Sequence, residues 1–143
     1  MWCLNSQFNR MKKIAIILCA FFTITAKGQV HLEVTESSIR ELHPDKKWTT
    51  SYTDKGVKYI SSDMTYGSFT YYFDKESGLS DFNIQIPFNL VTMNGQVEAY
   101  NKKYVITSDT SWTAYLENGG MIYMKLIYSE ENKLRYFTYS STK

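Results

Sequence analysis

The stretch TSWTAYLENGGMIYMKLIYSEENKLRYFTY, residues 110–139, decides the fold. It holds three strand-like segments joined by two short polar breaks, Glu117-Asn118-Gly119-Gly120 and Ser129-Glu130-Glu131-Asn132-Lys133. In the first segment Trp112, Ala114 and Leu116 alternate with Ser111, Thr113 and Tyr115, the period of two that gives a sheet one dry and one wetter face. The middle segment, Met121 to Tyr128, is apolar on both faces apart from Lys125, which predicts an interior strand covered on both sides. Asn118-Gly119-Gly120 tolerates positive φ at little cost, so a tight hairpin is the natural joint.

Working back toward the N-terminus, similar signals recur. Val30, Leu32 and Val34 alternate with His31, Glu33 and Thr35, predicting a short first strand. Ser38 followed by Glu41 has the spacing of a reciprocal helix cap, with Pro44 as a stop, so one short helix is expected near residues 38–43. Asp54-Lys55-Gly56, flanked by Trp48 and Tyr52 on one side and Val57, Tyr59 and Ile60 on the other, reads as a hairpin. Phe69, Tyr71 and Phe73 alternate with Ser68, Thr70 and Tyr72. Phe82, Ile84 and Ile86 then alternate with Asp81, Asn83 and Gln85, whose side should meet solvent or a polar interior. Phe88 to Met93 reads as a short strand or crossover and Asn94-Gly95 as a turn. Gln96–Tyr100 and Tyr104–Thr107 read as a hairpin across residues 101–103. The sum is an all-β chain of about 8–10 short strands, a single antiparallel β-barrel or β-sandwich, with closure slightly favoured because it removes edges. No internal repeat at fixed period is visible.

The first 28 residues stand apart. From Met11 a basic start, Met-Lys-Lys, precedes an apolar run of about 13 residues, Ile14 to Ala26, with small residues at Ala26 and Gly28, the pattern of a secretory leader. Cleavage is expected after Gly28, with residues 1–10 an upstream extension and Met11 the alternative start. Residues 29–143 then form a single all-β domain with no transmembrane segment, in the periplasm or secreted. Cys19 follows Ile17 and Leu18 rather than small residues, which argues against lipidation. Both cysteines, Cys3 and Cys19, leave with the leader, so the mature chain holds neither disulfide nor thiol nucleophile. The sixteen basic residues of the whole chain fall to twelve once Arg10, Lys12, Lys13 and Lys27 are gone, against fourteen acids. A chain near −2 gives no reason to expect nucleic acid as a partner.

This leader, Met-Lys-Lys-Ile-Ala-Ile-Ile from Met11 and ending near Gly28-Gln29, ahead of a Tyr- and Lys-rich all-β domain, resembles the short exported proteins of uncharacterised function common in Bacteroidetes. The resemblance implies an export route and brings no catalytic motif.

Residue chemistry points away from catalysis. A metal site needs three or four converging ligands, and the chain offers two histidines, His31 and His43. The carboxylates lie mostly in turns, where hydration explains them. No serine sits in a glycine-flanked elbow, and Asn118-Gly119-Gly120 lacks the lysine and helix of a phosphate loop. No cofactor is expected. The unusual quantity is aromatic: twelve tyrosines, joined in the mature chain by Trp48 and Trp112. Tyrosine rims a sheet core well, and it also builds a surface for a sugar ring, a lipid or a peptide. Trp112, Tyr123 and Tyr136, neighbours if the register is in phase, together with Trp48 are the candidate ligand-binding residues. The expected function is non-enzymatic binding through an aromatic-rich surface or shallow cleft, with a glycan, a lipid or another exported protein as partner. A small carboxylate hydrolase and a structural or inhibitory interaction module are the alternatives.

Overall fold

The computed structural model describes residues 31–141. The upstream extension, the leader and its cleavage point lie outside the described residues. The elements run α1 (Glu36–Leu42), β1 (Thr49–Tyr52), β2 (Lys58–Met64), β3 (Gly67–Phe73), β4 (Ser80–Pro87), α2 (Leu90–Lys103), β5 (Val105–Ser108), β6 (Ser111–Tyr115), β7 (Met121–Ser129) and β8 (Leu134–Ser141). The eight strands form one antiparallel sheet in the order β1-β2-β3-β4-β8-β7-β6-β5. β1 and β5 end the order without pairing to each other, so the sheet is open and the expected barrel is overturned. The open alternative holds in coarse form, with helices rather than a second sheet covering one face.

The arrangement is a structural duplication that the sequence conceals. Thr35 caps α1 by accepting from the Ser38 backbone N–H, and Asn89 caps α2 by accepting from that of Thr92. Cap, helix start and last strand each recur 54 residues later: 35 to 89, 36 to 90, and 80–87 to 134–141. Each half is thus a helix followed by a four-stranded meander, and the halves join where β4 pairs with β8. Because the strand order mirrors about that seam, a pseudo-two-fold axis runs along the sheet normal.

Side-chain alternation then defines two faces. One register row runs Ile60, Tyr71, Asn83, Tyr139, Met124 and Trp112 across β2, β3, β4, β8, β7 and β6. This inner row is buried, and the helices lie over it in two apolar clusters. Ile39 of α1 packs with Ile60, Tyr71 and Phe73. Met93, Val97, Tyr100 and Tyr104, on and just beyond α2, pack on Trp112, Met124, Phe137 and Tyr139. Those four positions recur at helical spacing, so α2 lays one half-buried stripe on the sheet although its sequence is a poor intrinsic helix former.

Several expectations change accordingly. α2 replaces the short strand or crossover expected over Phe88–Met93, the turn at Asn94-Gly95 and the first arm of the hairpin across residues 101–103; Asn94-Gly95 and the β-branched Val91, Thr92 and Val97 do oppose a helix locally. The Asn89 cap and the packed stripe outweigh that local preference. The α1 cap is Thr35 rather than Ser38. No strand forms over residues 31–35, where Glu33 adopts φ 60° and breaks the extended run. The segment is instead pinned to β4: Ser80 donates its N–H to the Val34 carbonyl at 2.9 Å and its hydroxyl to the His31 carbonyl at 3.0 Å. β7 is interior to the sheet but covered on one face, leaving Tyr123 and Lys125 exposed. At Gly67, φ is 157° and an added Cβ would lie 2.3 Å from the Ile86 carbonyl oxygen, so the start of β3 requires glycine.

Candidate functional site

The outer face carries no described helix. Its residues follow from the same alternation, and one row reads Tyr59, Tyr72, Phe82, Ser140, Tyr123 and Thr113. The next reads Ser61, Thr70, Ile84, Thr138, Lys125 and Ser111. In the first row the rings of Tyr59 and Tyr72 lie 5.5 Å apart at centroid, and those of Tyr72 and Phe82 5.8 Å. These are cross-strand neighbours in tilted contact, with interplanar angles of 39° and 48°, so they form one continuous aromatic ladder across β2, β3 and β4. All three are half-buried rather than covered. Burial and the neighbouring Tyr59 raise the Tyr72 phenol above its ordinary value, so its hydroxyl stays a neutral donor. Apart from Asp81 at the β3–β4 bulge, the charged side chains of this face are Lys125 and Asp63, and the Ser68 hydroxyl donates to the Asp63 carboxylate. Aromatic, aliphatic and hydroxyl groups make up the rest.

The inner face is chemically the opposite at its centre. β4 presents Asn83 and Gln85 inward, both buried, between the two apolar clusters. Gln85 and Gln96 of α2 form a reciprocal amide pair at 2.9 and 2.7 Å. Tyr139 donates to the Gln85 oxygen at 2.6 Å, and the Tyr100 and Tyr139 hydroxyls meet at 2.7 Å. The Asn83 amide makes no hydrogen bond of proper geometry, although it lies near enough to the Tyr71 phenol to oppose slightly the burial that raises that group to about 12. Burial likewise raises Tyr100 to about 12 and Tyr139 well above the usual phenol range. Tyr100 and Tyr139 are neutral struts that join α2 to the sheet.

The four candidate aromatics do not form one site. Trp112 is 1% exposed on the inner face and donates its indole N–H to Asn101 Oδ1 at 2.7 Å. Tyr123 pairs with Thr113, not Trp112, and is 41% exposed on the outer face. Tyr136 lies outward too, opposite Ile127, but the Lys125–Thr138 pair separates it from Tyr123. Trp48 packs against Tyr71 within the α1 cluster. The register is therefore out of phase for Trp112, and the outer ladder of Tyr59, Tyr72 and Phe82 is what the sequence reading missed. Its signal is the alternation of Phe82, Ile84 and Ile86 with Asn83 and Gln85; of the two settings expected for that polar side, solvent or a polar interior, the structure has the interior.

A pocket of about 280 Å³ lies beside α1, lined by residues that include Glu36, Lys58, Asp74 and Lys75. Two carboxylates sharing a pocket is the geometry a hydrolase needs, but both have other work. Burial pushes Glu36 up, yet hydrogen bonds from Lys58 and Arg40 outweigh it and hold the carboxyl below its ordinary range. Asp74 Oδ1 accepts from the Glu76 and Ser77 backbone N–H groups and the Ser77 hydroxyl, closing the β3–β4 turn. A general acid requires the opposite shift. His31 and His43 come together, ring centres 5.5 Å apart, but among the described residues no group of three or more histidine, cysteine or acidic side chains could hold a metal.

No family model matches the chain, and no curated protein or solved structure matches it. No helix among the described residues is long and apolar enough to cross a membrane.

Proposed function

We propose that this chain is an exported, non-enzymatic binding protein that receives its ligand on the helix-free face of the sheet. The observation that carries this reading is the Tyr59–Tyr72–Phe82 ladder on a face that no described helix covers. Adjoining tilted rings bordered by the hydroxyls of Ser61, Thr70 and Thr138, with little charge, suit a ligand with an apolar face edged by hydroxyls, and a neutral sugar chain has that chemistry. A lipid or another exported protein would use the same surface differently. Export rests on the basic-then-apolar pattern from Met11 to Gly28 and on its resemblance to exported proteins of Bacteroidetes.

The test starts with the chain expressed in a Gram-negative host and recovered from the periplasm. N-terminal sequencing should place the mature end near Gln29. Thermal-shift and isotope-edited NMR titrations would then use neutral oligosaccharides, phosphatidylcholine vesicles and co-purifying proteins as probes. Binding of an oligosaccharide should perturb Tyr72, Phe82 and Thr138, and Phe82→Ala should weaken it about tenfold or more without unfolding the protein. Perturbations confined to the pocket beside Glu36, or affinity unchanged in Phe82→Ala, would overturn the assignment.

A further inference from the structure

We propose that residues 31–34 are a proton-operated strap, latched across the two halves of the molecule near neutral pH and released when His31 and His43 take up protons. The segment lies in no helix or strand, yet it touches both apolar clusters: Leu32 packs against the α2 cluster and Val34 against the α1 cluster. One residue latches it there. Ser80, at the start of β4, is fully buried; its carbonyl accepts the Glu33 N–H at 2.6 Å, and its own N–H goes to the Val34 carbonyl at 2.9 Å. Its hydroxyl donates to the His31 carbonyl at 3.0 Å and accepts the Val34 N–H at 3.4 Å. Two half-buried apolar side chains and a set of hydrogen bonds centred on one serine make a small unit, which can open while the rest of the fold stays closed.

The sensor sits at the first residue of the strap. His31 and His43 lie 5.5 Å apart at ring centre, and His43 lies 6.3 Å from Trp48. Both imidazoles are half-buried, a setting that favours their neutral forms and lowers both below the ordinary 6.5. The surroundings do little to favour charge on the pair. The charge that bears on His31 is that of His43, which repels it. Asp45 favours a charged His43, but Lys46 opposes it and pairs with Asp45 at 3.1 Å. From α1, Arg40 is engaged with Glu36 and Thr50. β4 brings the neutral Ser80, and the α2 cluster brings the phenols of Tyr100 and Tyr139, which stay uncharged in this range. Two imidazolium ions at this spacing relax by parting. His43 is tied to α1 through its backbone N–H on the Arg40 carbonyl, so the strap is the partner that leaves. Release takes Leu32 and Val34 off the two clusters and bares apolar surface where they meet. The strap stands independently of the ligand that the outer face receives.

Amide exchange followed by NMR on the purified protein, corrected for the intrinsic effect of pH, tests the strap. Protection at Glu33 and Val34 should fall about tenfold or more between about pH 7.5 and about pH 5, with that of β8 retained. His31 and His43 should titrate together with that fall, both below 6.5. The double variant His31→Gln, His43→Gln keeps polar side chains that bind no proton, so its strap should stay protected across the same range. Ser80→Ala should leave the strap open at both ends of the range, which separates the latch from the sensor. Strap protection that does not change with acid, a fall that persists in the double variant, histidines that titrate above 6.5 in the original protein, or β8 opening in step with the strap would each overturn the proposal.

Discussion

The two faces of β4 invert the usual rule. Its inward side chains at the centre of the sheet are the amides of Asn83 and Gln85, fully buried, while Phe82, Ile84 and Ile86 look outward and are only half-covered. β8, its partner across the pseudo-two-fold seam, behaves conventionally, with Phe137 and Tyr139 inward and Thr138 and Ser140 outward. The difference teaches that a buried amide on a strand is acceptable where its neighbours satisfy it, as Gln96 of α2 and Tyr139 of β8 do for Gln85, whereas Asn83 beside it has no such partner. It also shows why the outer surface is the functional candidate: apolar area there is not explained by the core.

Five measurements would break or sharpen this contrast. Trp112→Ala should cost about 3–5 kcal/mol in urea unfolding, because it empties the largest buried side chain of the α2 cluster. Alkali should act next. Tyr71 and Tyr100 hold folded pKa values of about 12 against an ordinary 10.0, so their contribution is complete below pH 10 and is lost as pH rises toward 12. Each phenol represents roughly 2 kcal/mol over that window, and phenolate absorbance should appear together with loss of structure rather than before it. Gln96→Ala removes the partner of a buried amide and should cost about 1–3 kcal/mol. Tyr100 fluorescence or NMR shifts would report whether the rest of the network survives. Asn89→Ala should cost about 1 kcal/mol by uncapping α2, measurable as faster amide exchange in its first turn. Smallest is Ile84→Thr on the open face, within about 0.5 kcal/mol of the original by chemical denaturation. A loss there as large as that of Trp112→Ala would mean that something covers this face.

An acid-side experiment bears on the N-terminal segment. Burial lowers both His31 and His43 below the ordinary 6.5, and His43 lowers His31 further. The unfolded chain then binds protons first, so the stability these residues contribute is present above about pH 6.5 and declines as pH falls through their folded values. Exchange of the backbone around Val34 should accelerate before that of β8.

Legibility in the sequence followed the range of the forces involved. The hairpin at Asp54-Lys55-Gly56, the strand around Tyr71 and the meander from Ser111 to Ser141 were readable, because turn chemistry and two-residue alternation act between near neighbours. α2 was not, since Asn94-Gly95 and the β-branched residues describe its local preference and its packed stripe belongs to β6, β7 and β8. The aromatic character of the candidate site was readable from composition, but its membership was not. Trp112 and Tyr123 were grouped by proximity in the chain, and a register in which Trp112 meets Met124 sends them to opposite faces. Tyr59, Tyr72 and Phe82 come from three strands and meet only once those strands are aligned.

By itself the sequence determined that most of residues 49–141 would pair as short antiparallel strands, because alternation and positive-φ turns constrain each hairpin within a few residues. Only the tertiary structure decided that the sheet stays open, that α2 exists, and which side of β4 is wet. Those outcomes depend on contacts between residues tens of positions apart, such as Gln85 with Gln96 and Tyr139, whose gain in burial and hydrogen bonding exceeds any local preference.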